Sequence, residues 1–230
     1  MSPAAPPGRF FRDRRDAGRF LAGLLGHHRG RPDLVVLGLP RGGVPVAYEV
    51  ARALEAPLDV FLVRKLRAPG RDELAMGAIA SGGVVVVNDD VVRGLNISPD
   101  VIQNAAAEER RELLSRERAY REGRPMPELA GRTVVLVDDG IATGSSIRAA
   151  IWALRRLEPR KIVAAVPVGP QSGCRALATI ADEAVCATTL PRFVAVGCSY
   201  HDFRQTPDDE VEELLRAAAA REGFAGPAPR

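Results

Sequence analysis

Two adjacent carboxylates, Asp138 and Asp139, stand immediately before a short loop of small and hydroxylated residues. The loop, residues 140–146, contains two glycines and three hydroxyl side chains. Glycine lets a backbone approach a ligand closely, and the hydroxyl and N–H groups of such a loop can bind a phosphate. Two carboxylates repel a nearby phosphate, so they are unusual beside one unless they bind hydroxyls or a metal ion. The pattern therefore indicates a phosphorylated ligand that also carries hydroxyls or a metal ion.

The residues on either side of this loop predict a strand and a helix. Val134–Val137 is apolar and mostly β-branched, which is typical of a strand buried on both faces of a parallel sheet. Ile147–Leu157 carries apolar residues at helical spacing, so the N-terminus of that helix would direct its N–H groups and dipole at the loop. The alternative is an ordinary strand-to-helix turn in which an aspartate caps the helix.

The stretch Val134–Ser146 resembles the phosphoribosyl pyrophosphate (PRPP) binding motif of type I phosphoribosyltransferases: a hydrophobic strand, two acids and a Gly-x-Ala-Thr-Gly-Ser loop. The resemblance implies that Asp138 and Asp139 hold the ribose 2′ and 3′ hydroxyls and reach a metal ion only indirectly, through PRPP. It also implies that the loop wraps the 5′-phosphate. The loop residues concerned are Gly140, Ile141, Ala142, Thr143, Gly144, Ser145 and Ser146.

A second strand-to-helix turn has a similar composition. Leu34–Leu39 predicts a strand and Val46–Leu54 a helix, with Arg41, Gly42 and Gly43 between them. Paired glycines and one arginine suit a phosphate, and the turn resembles the pyrophosphate-binding loop of the same enzymes. In several family members that loop contains a non-proline cis peptide, so we expect a cis bond at Pro40-Arg41. Without the downstream motif, this would be an ordinary turn.

The segment after the next predicted strand, Leu58–Val63, is polar and rich in turn residues. In the family it is usually a flexible flap that closes over PRPP and excludes water. Lys65 is the candidate pyrophosphate contact, and Arg67 and Arg71 are candidate flap contacts. The alternative for the flap arginines is that they face water.

The stretch 193–205 is the aromatic-rich part of an aromatic-poor chain. In type I enzymes a variable hood beside the sheet receives the base, so Tyr200 and Phe203 could stack on a nucleobase-like acceptor. Three polar neighbours could bond to its edge: His201, Asp202 and Gln205. The alternative is that these aromatic rings pack on the core.

Residues 10–28 place apolar side chains at helical spacing. Four arginines give this predicted helix a basic outer face: Arg12, Arg14, Arg15 and Arg19. An anion-binding patch remains open, but the interleaved Asp13 and Asp16 favour a solvated face. His27 and His28 follow at the helix end, where a cation suits the dipole; this favours a helix-end role over metal binding.

The composition of the 230-residue chain suits a Val/Ala/Leu-built α/β core, with 46% hydrophobic and only 5% aromatic residues. The 32 basic and 29 acidic residues are almost balanced, which is compatible with a polyphosphate ligand and does not indicate nucleic acid. The three cysteines lack metal spacing and are interpreted as free thiols in a reducing compartment. No apolar run is long enough for a membrane span, and Met1–Gly8 lacks a secretory hydrophobic region. We expect a cytoplasmic protein.

Alternating strands and helices predict an α/β fold with a doubly wound, mostly parallel sheet. We expect a disordered tail at 1–8, a single phosphoribosyltransferase domain at 9–222 and a tail at 223–230. The small hood would come from both ends of the domain, about 9–31 and 188–206. A long inserted helix, Val101–Arg121, offers a narrow apolar stripe at Ala105, Leu113 and Leu114, which is compatible with a crossover helix or a homodimer contact.

The resemblance spans roughly residues 33–205, and the whole chain looks like the stand-alone bacterial predicted phosphoribosyltransferases. It implies Mg²⁺-dependent displacement of pyrophosphate from C1 of PRPP by a nitrogen nucleophile, as in nucleotide salvage. Arg41, Lys65 and Mg²⁺ would offset charge on the departing pyrophosphate, while the acidic pair orients the ribose. Mg²⁺ would be held mainly by the substrate.

One departure from the family bears on the acceptor. Hypoxanthine-guanine enzymes carry an aspartate in the phosphate loop, near the purine N7, where this sequence has Ala142. This weakens a 6-oxopurine assignment and leaves the acceptor open. Two other classes also stay open: a PRPP-binding regulatory protein without turnover, and a nucleotide-binding α/β protein without transfer activity. An ordinary P-loop ATPase is disfavoured because the Walker lysine is absent.

Overall fold

A five-stranded parallel sheet forms the centre of the fold in the computed structural model, which describes residues 10–190 and 193–224. Its strands are β1 (Leu34–Gly38), β2 (Leu58–Val60), β6 (Thr133–Val137), β7 (Lys161–Pro170) and β8 (Glu183–Leu190). They are arranged in the order β2-β1-β6-β7-β8. The predicted α/β fold with a mostly parallel sheet is confirmed.

Helices cover both faces of this sheet. They are α1 (Arg14–Leu24), α2 (Gly43–Leu54), α5 (Ser145–Arg155), α6 (Gln171–Ile180) and α7 (Asp208–Phe224). Val36 and Val135 face a buried cluster with side chains from α1, α2 and α7, whereas Leu37 and Leu136 face a second cluster with side chains from α5. Because successive strand residues point to opposite faces, continuous Val/Leu runs fill both clusters.

The register of β1 against β6 brings the two predicted ligand loops to one edge of the sheet. Leu34 pairs with Thr133 and Gly38 with Val137, so the two strands end level with each other. The loop after each strand therefore emerges at the carboxyl end of the sheet, where ligands of open α/β sheets bind.

The predicted flap folds as a separate three-stranded antiparallel sheet. Its strands are β3 (Val63–Ala68), β4 (Arg71–Ala80) and β5 (Val84–Val87). Of these, the sequence pattern predicted only β5 and placed Val63 in the preceding strand. The central strand β4 was missed because its second half is built from small residues. Their small size has a packing role, since a Cβ added at Gly77 would lie 2.4 Å from the carbonyl oxygen of Val86.

Two further helices, α3 (Asp89–Gly94) and α4 (Pro99–Arg121), follow the antiparallel sheet. The predicted stripe on α4 is partly wrong: Leu113 is fully buried, but Leu114 is 40% exposed. The buried face instead continues through Ala106 and Tyr120. Adjacent helical residues point about 100° apart, so a pair such as Leu113 and Leu114 cannot share one narrow stripe.

The two segments predicted to form the hood contact each other. Phe11 and Tyr200 form an isolated parallel bridge, in which Phe11 N donates to Ser199 O at 2.8 Å and His201 N donates to Phe11 O at 2.9 Å. The predicted tail at 1–8 lies outside the described residues, as do residues 225–230 of the predicted C-terminal tail, whereas α7 continues to Phe224.

The prediction of three free thiols is wrong for two of the cysteines. Cys174 on α6 and Cys186 on β8 form a disulfide with their Cα atoms 6.1 Å apart, whereas Cys198 is free and exposed. Sequence spacing could not show this pairing, because it depends on the packing of α6 against β8. Within the part of the chain that the structure describes, no helix is both long and apolar enough to cross a membrane.

Candidate functional site

The two predicted ligand loops meet at a junction of two glycines and two aspartates. A Cβ added at Gly42 would lie 2.0 Å from Asp139 Oδ2, and one added at Gly43 would lie 2.8 Å from Val137 O and 2.9 Å from Asp138 Cα. Only glycine allows this approach, because real side chains do not tolerate such distances. The Gly-Gly turn after β1 is therefore fitted to the acidic pair after β6.

Local hydrogen bonds and burial define the acidic pair. Asp139 N donates to Asp138 Oδ1 at 2.9 Å, and both residues keep part of their surface exposed. Desolvation by the surrounding protein raises the pKa of Asp138 well above its ordinary value, and the adjacent Asp139 carboxylate raises it further. Desolvation also raises the pKa of Asp139, although Arg14 counteracts this shift. Two desolvated carboxylates are typical of a site that holds ligand hydroxyls or positive charge.

Arg14 is a site residue that the sequence reasoning missed. Its Nε lies 2.8 Å from Asp139 Oδ2, and its Nη1 donates to Arg204 O at 2.7 Å. Its Cζ lies 4.0 Å from the centroid of the Phe203 ring. The side chain is only 11% exposed, so its assignment to a solvated face is wrong. Because 125 residues separate Arg14 from Asp139, no local pattern distinguishes it from the neighbouring arginines.

The predicted phosphate loop is an exposed turn that one buried residue attaches to the core. Gly144 adopts a left-handed conformation, with φ 72°, and is the N-cap of α5. Thr143 Oγ1 donates to Ser145 Oγ at 3.2 Å on the exposed side of the turn. Ile141 instead enters the core, and its N–H donates to Val168 O at 2.9 Å. Ile141 therefore fixes the loop while the exposed residues face outward, namely Ala142, Thr143, Ser145 and Ser146.

Arg41 follows a cis peptide bond at Pro40-Arg41, so that prediction is confirmed. Its side chain is directed at the start of α7, with Nη1 3.6 Å from Asp208 Oδ2. The same aspartate accepts a hydrogen bond from the hydroxyl of Tyr120 on α4. Arg41 is thus held on a neighbouring carboxylate and is 30% exposed at the rim of the site.

Lys65 is exposed on β3 and lines a cavity of about 340 Å³. Thr143 and Ser145 line the same cavity, and its floor comes from β4, β5 and α5. The antiparallel sheet therefore brings Lys65 beside the phosphate loop. Arg67 is exposed further along β3, where the register against β4 shifts, and it is not among the residues that line this cavity.

Tyr200 and Phe203 lie beside the acidic pair and pack against each other. Tyr200 is 7% exposed, and its hydroxyl donates to the carbonyl oxygen of Asp139 at 2.6 Å. Its ring is stacked on Phe203 at 5.0 Å and lies 5.8 Å from Phe11. Desolvation raises the pKa of Tyr200, so its hydroxyl stays protonated as a donor. This arrangement matches the packing alternative for Tyr200, while Phe203 is half-buried under the Arg14 guanidinium.

A second cavity, of about 470 Å³, lies between the two hood segments and the first turn of α2. We call it the hood cavity; its polar lining includes Arg14, Arg15, Asp202, Arg204, Gln205 and Glu210. Two of these, Asp202 and Gln205, are residues that the sequence suggested for the edge of an acceptor. Since Arg14 lines this cavity and also binds Asp139, the cavity adjoins the acidic pair.

A model of the phosphoribosyl transferase domain family matches residues 14–94 and 70–196, which contain both predicted ligand loops. The chain belongs to the phosphoribosyl transferase family. Two curated relatives come from Mycobacterium tuberculosis: "Putative phosphoribosyl transferase Rv0571c" of strain H37Rv and "Putative phosphoribosyl transferase MT0597" of strain CDC 1551. Each is 49% identical over 210 residues, or 91% of this chain and 47% of the relative. The chain therefore spans about half the length of these phosphoribosyl transferase relatives.

A solved relative supports the same family fold. The crystal structure of TT1426 from Thermus thermophilus is 45% identical in sequence and superposes with a TM-score of 0.81. The match covers 90% of this chain and 97% of TT1426. This chain and TT1426 therefore share one overall fold over nearly the whole length of each.

Proposed function

We propose that this chain is a Mg²⁺-dependent phosphoribosyltransferase. It would transfer the phosphoribosyl group of PRPP to a nitrogen nucleophile, such as a nucleobase, and release pyrophosphate. The observation that carries the proposal is the junction of Gly42 and Gly43 with Asp138 and Asp139. A phosphate-type turn and a carboxylate pair in direct contact suit a ligand that bears phosphates and hydroxyls at once.

The proposed binding mode assigns the ribose hydroxyls to Asp138 and Asp139. The 5′-phosphate would lie against the exposed turn from Ala142 to Ser146, at the N-terminus of α5. Helix N–H groups that lack an intrahelical partner, together with the dipole, favour an anion there. The hydroxyls of Thr143, Ser145 and Ser146 would add further donors.

The pyrophosphate would lie against the turn at Arg41–Gly43, where α2 begins. Arg41 would exchange its contact with Asp208 for the pyrophosphate, and Lys65 would approach from the antiparallel sheet. Fixed positive charge at these positions would favour departure of the pyrophosphate from C1. Arg67 would be a peripheral contact after closure of this sheet over the ligand.

The ligand atoms at the acidic pair suit Mg²⁺ that is bound through PRPP and not by the protein alone. Carboxylate oxygens suit this hard cation, but the described residues do not place a third ligand from His, Cys, Asp or Glu beside Asp138 and Asp139. Asp138 and Asp139 would therefore hold the ion through the PRPP hydroxyls, with the remaining ligands from pyrophosphate and water. When bound, Mg²⁺ would neutralise charge on the leaving group.

The hood cavity is the proposed location of the acceptor. It adjoins Asp139 through Arg14 and presents both carboxylates and donors, which suits a polar ring with hydrogen-bonding edges. Phe203 would offer a stacking surface once Arg14 moves. Tyr200 would not contact the acceptor but would position Asp139 through the hydrogen bond to its carbonyl oxygen.

A PRPP-binding regulatory protein without turnover is the second candidate. The contact of Arg14 with both Asp139 and Phe203 favours it, because the groups proposed for ribose and acceptor are already occupied by one side chain. The two candidates agree on PRPP binding and differ in pyrophosphate release.

Isothermal titration of PRPP with and without Mg²⁺ tests the shared part of the proposal. The parent protein should bind PRPP in a Mg²⁺-dependent manner, and the Asp138→Asn/Asp139→Asn variant should lose this binding. A pyrophosphate-release assay with adenine, hypoxanthine, guanine, uracil and orotate then separates transferase from regulator. Absence of PRPP binding by the folded parent overturns both candidates.

A further inference from the structure

Two histidines and one glutamate lie close together at the amino ends of the strands, opposite to the proposed PRPP site. His27 and His28 form the end of a 3-10 turn after α1, and Glu183 is the first residue of β8. The proposed PRPP loops follow the carboxyl ends of β1 and β6, whereas Glu183 stands at the amino end of its strand. The cluster is therefore a separate feature, which the proposed transferase chemistry does not use.

The two imidazoles bind the two oxygens of a single carboxylate. His27 Nε2 lies 2.9 Å from Glu183 Oε1, and His28 Nε2 lies 3.1 Å from Glu183 Oε2. One potential ligand atom from each residue lies within 4.8 Å of the other two. The ring centroids are 4.1 Å apart, so both rings approach from the same side. Ligand atoms around a tetrahedral zinc ion, at about 2.0–2.2 Å from the metal, lie roughly 3.3–3.6 Å apart, so a bound ion would draw the three atoms to about this spacing.

Burial fixes one ligand and leaves the other open to solvent. His28 is 1% exposed, and its Nδ1 has no hydrogen-bond partner in the described part of the chain. Its Nε2 is therefore the ring nitrogen that reaches a polar group, and it is directed at Glu183. The side chain of His27 is 50% exposed, which leaves room for water as a further ligand.

Lys161 provides the competing interaction. Its Nζ lies 2.7 Å from Glu183 Oε2, so the carboxylate already has a cationic partner at one oxygen. The ammonium also places positive charge beside any bound metal, which weakens cation binding. Removal of this charge should therefore strengthen metal binding, whereas it would weaken a purely structural ion-pair network.

We propose that His27, His28 and Glu183 form a site for a divalent transition-metal ion such as Zn²⁺. Two imidazole nitrogens and one carboxylate oxygen match the ligand preference of this class of ion, with water in the fourth position. Mg²⁺ is not the expected occupant, because it prefers oxygen ligands. The ion would join the 3-10 turn after α1 to the start of β8 and so stabilise the attachment of α1 to the sheet. The proposal is an alternative to the sequence-based interpretation of the two histidines as helix-end residues without a metal role.

Calorimetric titration of Zn²⁺ into tag-free, chelator-treated protein tests the proposal, with Co²⁺ absorption as a spectroscopic readout. A Cys198→Ser background removes the exposed thiol as an alternative ligand. The chain contains three histidines, so His201→Ala is the matched control for His27→Ala. Glu183→Gln removes the anionic ligand and keeps the size of the side chain, and Lys161→Met removes the competing cation.

The expected result is one equivalent of Zn²⁺ per chain, with at least tenfold weaker binding in His27→Ala and Glu183→Gln. His201→Ala should bind as the background protein does, and Lys161→Met should bind severalfold more tightly. Zn²⁺ should also raise the midpoint of thermal unfolding in each variant that binds it. Binding that survives both His27→Ala and Glu183→Gln, or an absence of stoichiometric binding in the background protein, overturns the proposal.

Discussion

Arg14 Nε donates to Asp139 Oδ2 at 2.8 Å, and this contact joins the first helix to the acidic pair of the site. Both side chains are largely buried, with 11% and 16% of their surfaces exposed. Arg14 lowers the pKa of Asp139 against the larger effect of desolvation. The pair therefore offsets part of the cost of ionising Asp139 in this desolvated position.

Replacement of Arg14 by Met should destabilise the protein in a pH-dependent way. Without the guanidinium, the pKa of Asp139 in the folded state rises further above its unfolded value, so ionisation opposes folding more strongly. The free energy of unfolding should fall by about 2 kcal/mol at neutral pH, the range for a lost hydrogen bond to a charged group. The loss should shrink as pH falls and Asp139 becomes protonated. Urea unfolding at several pH values measures this, and Arg12→Met, on an exposed arginine, is the control. A pH-independent loss would contradict the argument.

Asp138→Asn should stabilise the folded protein while it weakens PRPP binding. Desolvation and Asp139 raise the pKa of Asp138, so the folded state binds a proton more tightly than the unfolded state. Stability is then lost as pH rises from the ordinary carboxyl pKa through the raised one, so the substitution should stabilise the protein most above that range. Asparagine removes this charge and can still accept the hydrogen bond from Asp139 N. The gain should be about 1 kcal/mol, as is common when a functional site is neutralised.

Chemical denaturation and PRPP titration on the same preparation check both halves of the Asp138 prediction. Asp139→Asn is the matched comparison, because its carboxylate is paired with Arg14. It should give a smaller gain in stability, or a loss. Equal gains from the two substitutions would show that pairing with Arg14 does not determine how much each carboxylate destabilises the protein.

The positions of the two candidate ligand loops could be predicted from the sequence, because each loop is contiguous and each follows a buried strand. The sequence predicted that both loops lie at the same end of the sheet, but not the register that brings Gly42 against Asp139. Arg14 could not be found, since its role depends on how α1 crosses the end of the sheet. The disulfide between Cys174 and Cys186 was missed for a related reason, because helix–strand packing and not spacing determines it. Local patterns thus located the loops, whereas the contact of Arg14 and the disulfide depend on long-range packing.

Gly42→Ala should disrupt the junction between the two loops. The added Cβ would lie 2.0 Å from Asp139 Oδ2, so the carboxylate or the turn must move. We expect a loss of about 1–3 kcal/mol in stability, the usual effect of overpacking, and at least tenfold weaker PRPP binding. Gly26→Ala is the matched control, because a Cβ at Gly26 meets nothing within 4 Å. Normal PRPP affinity in Gly42→Ala would show that the fit of the two loops is not required for the ligand.

Arg121→Met should be strongly destabilising, because Arg121 is the centre of a buried ion network. Its Nε lies 3.0 Å from Asp59 Oδ2, its Nη1 lies 2.9 Å from Glu117 Oε1, and its Nη2 donates to Val60 O at 2.9 Å. Desolvation raises the pKa of Asp59, and Arg121 opposes that shift. Removal of the arginine leaves two buried carboxylates unpaired, which typically costs about 3–5 kcal/mol. Thermal and urea unfolding measure the loss, with Arg118→Met on the exposed face of the same helix as the control. Since β2 is attached to α4 through this network, a loss no larger than that of Arg118→Met would mean that solvent reaches Asp59 and Glu117 in the folded chain.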